Sequence, residues 1–154
     1  MIPAWYFTSV KILNLSDNPT PSYQTSGSAG FDIAASEDVV IEGAGVELIP
    51  TGIHLRIPYG YEGQLRLRSS MYKKNVVMPN APGTIDSDYR GEIKIPLKNL
   101  SPYGFAHFKK GDRIAQIVIH RCPQALLEEV SADEFESCED TSRGVGGFGS
   151  TGVK

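Results

Sequence analysis

Sulfur, imidazole and indole groups are all scarce in this chain of 154 residues, which holds two cysteines, three histidines and one tryptophan. Fifteen residues separate Cys122 from Cys138, with no C-x-x-C and no matched histidine pattern. That spacing argues against a zinc site and leaves two reduced thiols. His54, His107 and His120 each stand without a metal-like or triad-like companion and read as structural or surface residues. No stretch approaches the roughly 18 apolar residues that a membrane helix needs. The start, Met1-Ile2-Pro3-Ala4-Trp5-Tyr6, lacks a basic region followed by a long apolar run, so no secretory signal is evident. The expectation is a soluble intracellular protein, cytoplasmic, or nuclear if its source is eukaryotic or viral. Positive charge is also lacking. A formal net charge of −3 excludes a broad basic surface for nucleic acid. Any anionic ligand must then be held by local donors, by a metal ion, or by both.

What is abundant is period-two alternation. Ile53, Leu55 and Ile57 alternate with His54 and Arg56; Leu65 and Leu67 alternate with Gln64, Arg66 and Arg68. Ile93, Ile95 and Leu97 alternate with Lys94 and Lys98, and 39–41, 46–49 and 114–119 add further short apolar runs. Each is the signature of a half-buried strand. Gly and Pro turns separate them, at Pro58-Tyr59-Gly60, Asn80-Ala81-Pro82-Gly83 and Lys110-Gly111-Asp112 among others. The pattern predicts an all-β, jelly-roll-like antiparallel sandwich or barrel. Helix signals are few: one turn over Ser69 to Lys74, and a capping box at Ser131-Ala132-Asp133-Glu134. Residues 1–130 read as one domain, and 131–154, acidic and then glycine-rich, as an arm leaving it. There are no internal repeats.

The arm ends in Arg143-Gly144-Val145-Gly146-Gly147-Phe148-Gly149-Ser150-Thr151-Gly152, with five glycines in ten positions. Such a stretch cannot hold a helix or a packed strand. It could be a Gly/Ser tail. It also carries a guanidinium fork, one large aromatic and unshielded amides, which suit a phosphate chain with a base attached.

Four other segments carry polar groups in informative places. Gly83-Thr84-Ile85-Asp86-Ser87-Asp88-Tyr89-Arg90-Gly91-Glu92-Ile93 reads as a hairpin, entered by Asn80-Ala81-Pro82 and left by the strand after Gly91. On a strand, Asp86 and Asp88 would share a face; ordinary turn chemistry is the alternative. Arg68-Ser69-Ser70, at a strand end, can hold phosphate oxygens or simply cap a helix. In Gly111-Asp112-Arg113-Ile114-Ala115-Gln116-Ile117, Gln116 either binds a ligand oxygen or satisfies nearby backbone. In Ala29-Gly30-Phe31-Asp32-Ile33-Ala34-Ala35, Asp32 is either paired within the structure or close to a cation.

In this order and at this spacing, the five segments resemble the trimeric dUTP pyrophosphatases, or dUTPases, over about residues 9 to 154. The resemblance implies a jelly-roll homotrimer with three shared active sites, dUTP as substrate and Mg²⁺ on its triphosphate. The implied reaction gives dUMP and pyrophosphate, which limits uracil incorporation into DNA and supplies dUMP for thymidylate synthesis. It places Asp86, Ser69 and Gln116 in catalysis. Asp86 activates the attacking water, Ser69 lies near the α–β bridging oxygen, and Gln116 contacts the α-phosphate or the water. Arg68 and Ser70 join Ser69 on the phosphates. Asn80, the backbone of Gly83, Thr84 and Ile85, and Lys94 surround the uracil edge, and Tyr89 crowds out a 2′-hydroxyl. Arg143 clamps the γ-phosphate, Phe148 stacks on uracil, and Gly149, Ser150 and Thr151 add phosphate donors. Asp32 at most reaches the metal through water. Neither nucleic acid nor membrane is an expected partner.

One departure stands out. Most members read Pro-Arg-Ser-Gly where this chain has Leu67-Arg68-Ser69-Ser70, the form seen in dCTP deaminases of the same fold. Those enzymes carry a catalytic Glu on the following strand, at a position near Pro96, and Ile93-Lys94-Ile95-Pro96-Leu97 offers no acid. Deamination of dCTP and a catalytically silent nucleotide-binding jelly roll are the two alternatives.

Overall fold

The computed structural model describes residues 8–136, 141, 143–148, 150 and 152. Short strands dominate, as the alternation requires. β1 (Lys11–Asn14), β2 (Phe31–Ala34), β3 (Val39–Glu42), β4 (Val46–Ile49), β5 (Ile53–Arg56) and β6 (Tyr61–Leu67) come first. A 3-10 turn over Ser69–Lys74 follows, then β7 (Val76–Val77), β8 (Gly83–Ile85), β9 (Ile95–Asn99), β10 (Phe105–Phe108) and β11 (Arg113–Arg121). Helix α1 (Ala132–Glu136) closes the series. The fold is all-β and jelly-roll-like. Its largest sheet runs β2-β11-β6-β8, beside β4-β9-β7, β1-β5 and β10-β3, and the strand pairs are antiparallel. The chain forms two compact units, Met1–Gln124 and Ala125–Lys154.

The core follows from the alternation. Ile33, Ile41, Ile49, Ile95, Leu97, Ile114 and Ile117 are fully enclosed in one cluster with Phe108. Each such side chain contributes roughly 1.5–3 kcal/mol. The buried polar residues in this core are satisfied. Asn99 donates to the carbonyls of Ile41 (3.2 Å) and Gly104 (3.1 Å) and accepts from the Ser101 amide (2.9 Å).

Two expectations need correction, and the choice left open for Asp86 and Asp88 falls to turn chemistry. The segment around Asp86 is not a hairpin with the strand after Gly91, because β8 pairs with β6 whereas β9 pairs with β4 and β7. Asp86 and Asp88 do not share a strand face. They lie on a turn past β8, closed by the Tyr89 amide donating to the Asp86 carbonyl at 3.1 Å. Ile93 is buried but precedes β9. Its amide donates to the Ile53 carbonyl at 2.8 Å, so it belongs to the junction with β5. β1, β7 and β10 were not foreseen.

Candidate functional site

Arg68 stands at the C-terminal end of β6, in extended conformation, as the cap of the 3-10 turn. Its amide donates to the Ile114 carbonyl at 3.0 Å, tying it to β11. Its Nε donates to Asp32 Oδ1 at 3.0 Å, and Arg113 Nη1 donates to Asp32 Oδ2 at 3.1 Å. Asp32 is paired within the fold, one oxygen to each guanidinium, on β2 opposite Gln116 of β11. Gln116 also faces Arg66 of β6, so Asp32, Gln116 and Arg66 form one row across three strands. Gly30 matters here: a Cβ would approach Gln116 Oε1 to 3.0 Å and the Ile117 carbonyl to 2.8 Å. Ser69 and Ser70 are exposed at the start of the 3-10 turn, with no partner for either hydroxyl among the described residues. Arg68, Ser69, Met71, Met78 and Pro82 border a cleft of about 710 Å³.

The second cluster sits on the loop around β8. Asn80 is exposed, and its Nδ2 would lie 3.6 Å from a Cβ on Gly83. The Ala81–Pro82 peptide is cis. Gly83 and Ile85 are buried against Leu65 and Gly63 while Thr84 faces out. β8 is an edge strand of its sheet, so one row of its backbone groups has no strand partner in the protomer. Asp86 is exposed, and its carboxylate has no hydrogen bond or ion pair among the described residues. Tyr89 folds back and donates its hydroxyl to the Glu92 carbonyl at 3.0 Å. Lys94 Nζ lies 3.7 Å from Glu92 Oε2.

Glu92 itself was not among the expected site residues. Its Oε1 accepts the amides of Thr51 (3.0 Å) and Gly52 (2.9 Å). Burial pushes this carboxyl up. The Gly52 and Thr51 amides, with the charges of Lys94 and His54, more than offset it and hold the group below its ordinary range. Arg113 was also given no role, although it lies within a quoted segment. No local pattern marks either residue, because their partners are distant in sequence.

Within one protomer Pro82 borders the same cleft as Arg68 and Ser69, whereas Asp86 lies away from them. Ile85 pairs with Gly63, and Arg68 lies five residues further along the same extended path. At about 3.3 Å per residue, Arg68 is roughly 16 Å from the level of Ile85. Asp86 lies one residue beyond Ile85, on the far side from Arg68.

In the second unit, the Ser131 hydroxyl accepts the Glu134 amide at 3.2 Å, so the foreseen cap stands at the head of α1. Arg143 Nε donates to the Gly146 carbonyl at 2.9 Å. Phe148 is fully exposed and takes φ +48°, a region side chains rarely adopt. Ser150 closes a turn through its amide to the Gly147 carbonyl at 3.0 Å. Gly149 and Thr151 lie outside the described residues.

The dUTPase family model matches residues 16–152 of the chain. The chain belongs to the dUTPase family. A deoxyuridine 5′-triphosphate nucleotidohydrolase of Zymomonas mobilis is 47% identical over 136 residues, 88% of this chain and 89% of that one. Its counterpart in Nautilia profundicola is 50% identical over 133 residues, 86% of this chain and 89% of that one. Among solved structures, the dUTPase of Staphylococcus bacteriophage 80alpha with dUpNHpp superposes with a TM-score of 0.85 at 30% identity, over 96% of this chain and 100% of that chain. A mutant dUTPase of phage phi11 of S. aureus, described as revealing the coordination of a structural Mg(II) ion, gives 0.75 at 28% identity, over 83% and 100%. No helix among the described residues is long and apolar enough to cross a membrane.

Proposed function

We propose that the protein hydrolyses dUTP to dUMP and pyrophosphate in sites shared between protomers of a homotrimer. Asp86 accepts a proton from a water that attacks the α-phosphorus in line with the leaving pyrophosphate. The new bond joins the water oxygen to that phosphorus, and the bond to the α–β bridging oxygen breaks. Arg68, Ser69, Ser70 and Gln116 hold phosphate oxygens, with Ser69 near the bridging oxygen. The unpaired edge of β8, with Asn80 and Lys94, reads uracil, whose N3–H donor lies between two acceptor oxygens. Cytosine presents the opposite pattern at N3 and C4 and would leave groups of that edge unpaired there, a mismatch that discriminates strongly. Tyr89 closes the sugar side. From another protomer, Arg143 clamps the γ-phosphate and Phe148 stacks on the base, with Gly149, Ser150 and Thr151 as further donors. Residues 1–130 form the body and 131–154 the closing arm.

The observation that carries this reading is where unsatisfied polar groups lie. The Asp86 carboxylate, the Ser69 and Ser70 hydroxyls and the Asn80 amide have no partner among the described residues, whereas Arg68 and Tyr89 are held in place. In a member of a family of dUTP nucleotidohydrolases, such open groups support substrate contact at these positions. The separation of roughly 16 Å along β6 supports sharing, because water at one phosphorus must reach both clusters.

Mg²⁺ belongs with the triphosphate as part of the substrate, where it screens phosphate charge. Among the described residues, no cluster of three acidic, histidine or cysteine side chains could cage it. Both oxygens of Asp32 already accept from guanidinium groups, so its remaining route to a metal is through water. The test is direct: incubate with dUTP or dCTP and Mg²⁺ and look for pyrophosphate or ammonia. Pyrophosphate from dUTP supports the reading, ammonia from dCTP supports the deaminase, and no turnover of either leaves a silent binding protein.

A further inference from the structure

Tyr89 can exclude a ribose hydroxyl only if its ring is fixed, yet it sits on a loop outside any strand and is 46% exposed. What fixes it is a relay through Glu92. The Tyr89 hydroxyl donates to the Glu92 carbonyl at 3.0 Å, and Gly91 supplies the room, since a Cβ there would overlap the Tyr89 ring. The Glu92 side chain runs the other way, into the turn between β4 and β5, where one oxygen takes both the Thr51 and Gly52 amides. Gly52 has φ +67°, a conformation that glycine adopts without strain. The next residue is fastened to the same turn. The buried Thr51 hydroxyl donates to the Ile93 carbonyl at 2.5 Å and accepts the Ile53 amide at 3.1 Å.

We propose that Glu92 is a positioning residue for sugar discrimination, anchoring Tyr89 to the β4–β5 turn so that the ring cannot yield to a 2′-hydroxyl. The inference rests on the dUTP reading above and adds to it a residue that touches no substrate. Its mechanism is steric. A pinned ring rejects the larger sugar, whereas a ring freed by a few tenths of an ångström accommodates it, and the deoxy substrate is barely affected.

The experiment measures kcat/KM for dUTP and for UTP. In Glu92→Ala the dUTP-to-UTP ratio falls roughly tenfold, mainly through improved use of UTP, while kcat for dUTP changes much less. Glu92→Gln keeps an acceptor oxygen for the two amides and retains most of the discrimination. Tyr89→Phe cuts the relay at its other end and loses as much as Glu92→Ala. The double variant Glu92→Ala/Tyr89→Phe loses no more than either, because one link is broken in both. An unchanged ratio in a folded Glu92→Ala overturns the inference. If that variant does not fold, an unchanged ratio in Tyr89→Phe overturns it instead. A wild-type protein that does not hydrolyse dUTP removes the underlying reading, and this inference with it; wild-type turnover with unmoved ratios removes this inference alone.

Discussion

Two inactive chains should restore each other's activity. Asp86→Asn removes the proton acceptor, and Arg68→Ala removes a phosphate donor at the other end of β6. Arg68→Ala should fold, because Asp32 keeps its 3.1 Å contact with Arg113 after the arginine is lost. If every site takes Arg68 from one protomer and Asp86 from its neighbour, a randomly assembled one-to-one mixture leaves some sites whole. A site is whole when the first protomer carries the Asp86 change and the second the Arg68 change. Each condition holds half the time, so about a quarter of the sites are intact, whatever the size of a closed ring. Co-expression with the same tag on both chains, so that every assembly is recovered, followed by pyrophosphate release at saturating dUTP, should give about a quarter of the wild-type rate. Sites complete within one protomer would give no gain at any ratio. A mixture no more active than the average of its parts refutes the argument from strand spacing.

Asp86→Asn alone should still bind dUTP while kcat falls by roughly 10²–10⁴, the usual contribution of a positioned base, and isothermal titration with single-turnover kinetics would show the split. Near-normal turnover would remove Asp86 from the mechanism. Stopping the chain after Ser142 should leave the β-fold and its assembly intact by circular dichroism and sedimentation but abolish most dUTP hydrolysis; a full rate would exclude a closing arm. Glu92 ties acid stability to its loop. Its folded pKa lies below the ordinary 4.5, so its contribution is complete above that value and is lost as pH falls through the folded one. Urea midpoints at neutral pH and at about pH 3.5 should therefore differ less in Glu92→Gln than in the wild type, and identical acid losses in both would contradict this.

The local part of the fold was legible in the sequence. Val46 to Ile49 is a strand with the bounds its apolar run gave, and the Ser131 cap and the turn at Ser69 stand where residue chemistry put them. Pairing was not legible. The run from Ile93 to Leu97 alternates so cleanly that a hairpin with β8 looks natural, yet Thr51 and Ile53 capture Ile93 from forty residues away. β10 was missed although Ala106 and Phe108 are buried between exposed neighbours, because Ser101 to Gly104 reads as a long turn. The site divides in the same way. Asp86, Ser69 and Asn80 are marked by their motifs, whereas Glu92 and Arg113 act through partners that no window of the sequence contains.

Asp32 shows why such partners matter to the chemistry. A carboxylate beside a phosphate site looks self-defeating, since it repels the ligand. Here it lies 87% enclosed between two guanidinium groups, contacting each at about 3 Å. The trio carries net positive charge, one unit beyond neutrality, and keeps its attraction for a triphosphate. What the carboxylate adds is direction. Asp32 engages Arg68 through Nε and the Arg113 carbonyl accepts from its Nη1 at 3.5 Å, so in the proposed site Nη2 is the nitrogen left for a phosphate oxygen. An arginine without this counter-ion would sample many rotamers on an exposed strand end and lose entropy on binding. Fixing it beforehand moves that cost from the encounter with substrate to the folding of the chain.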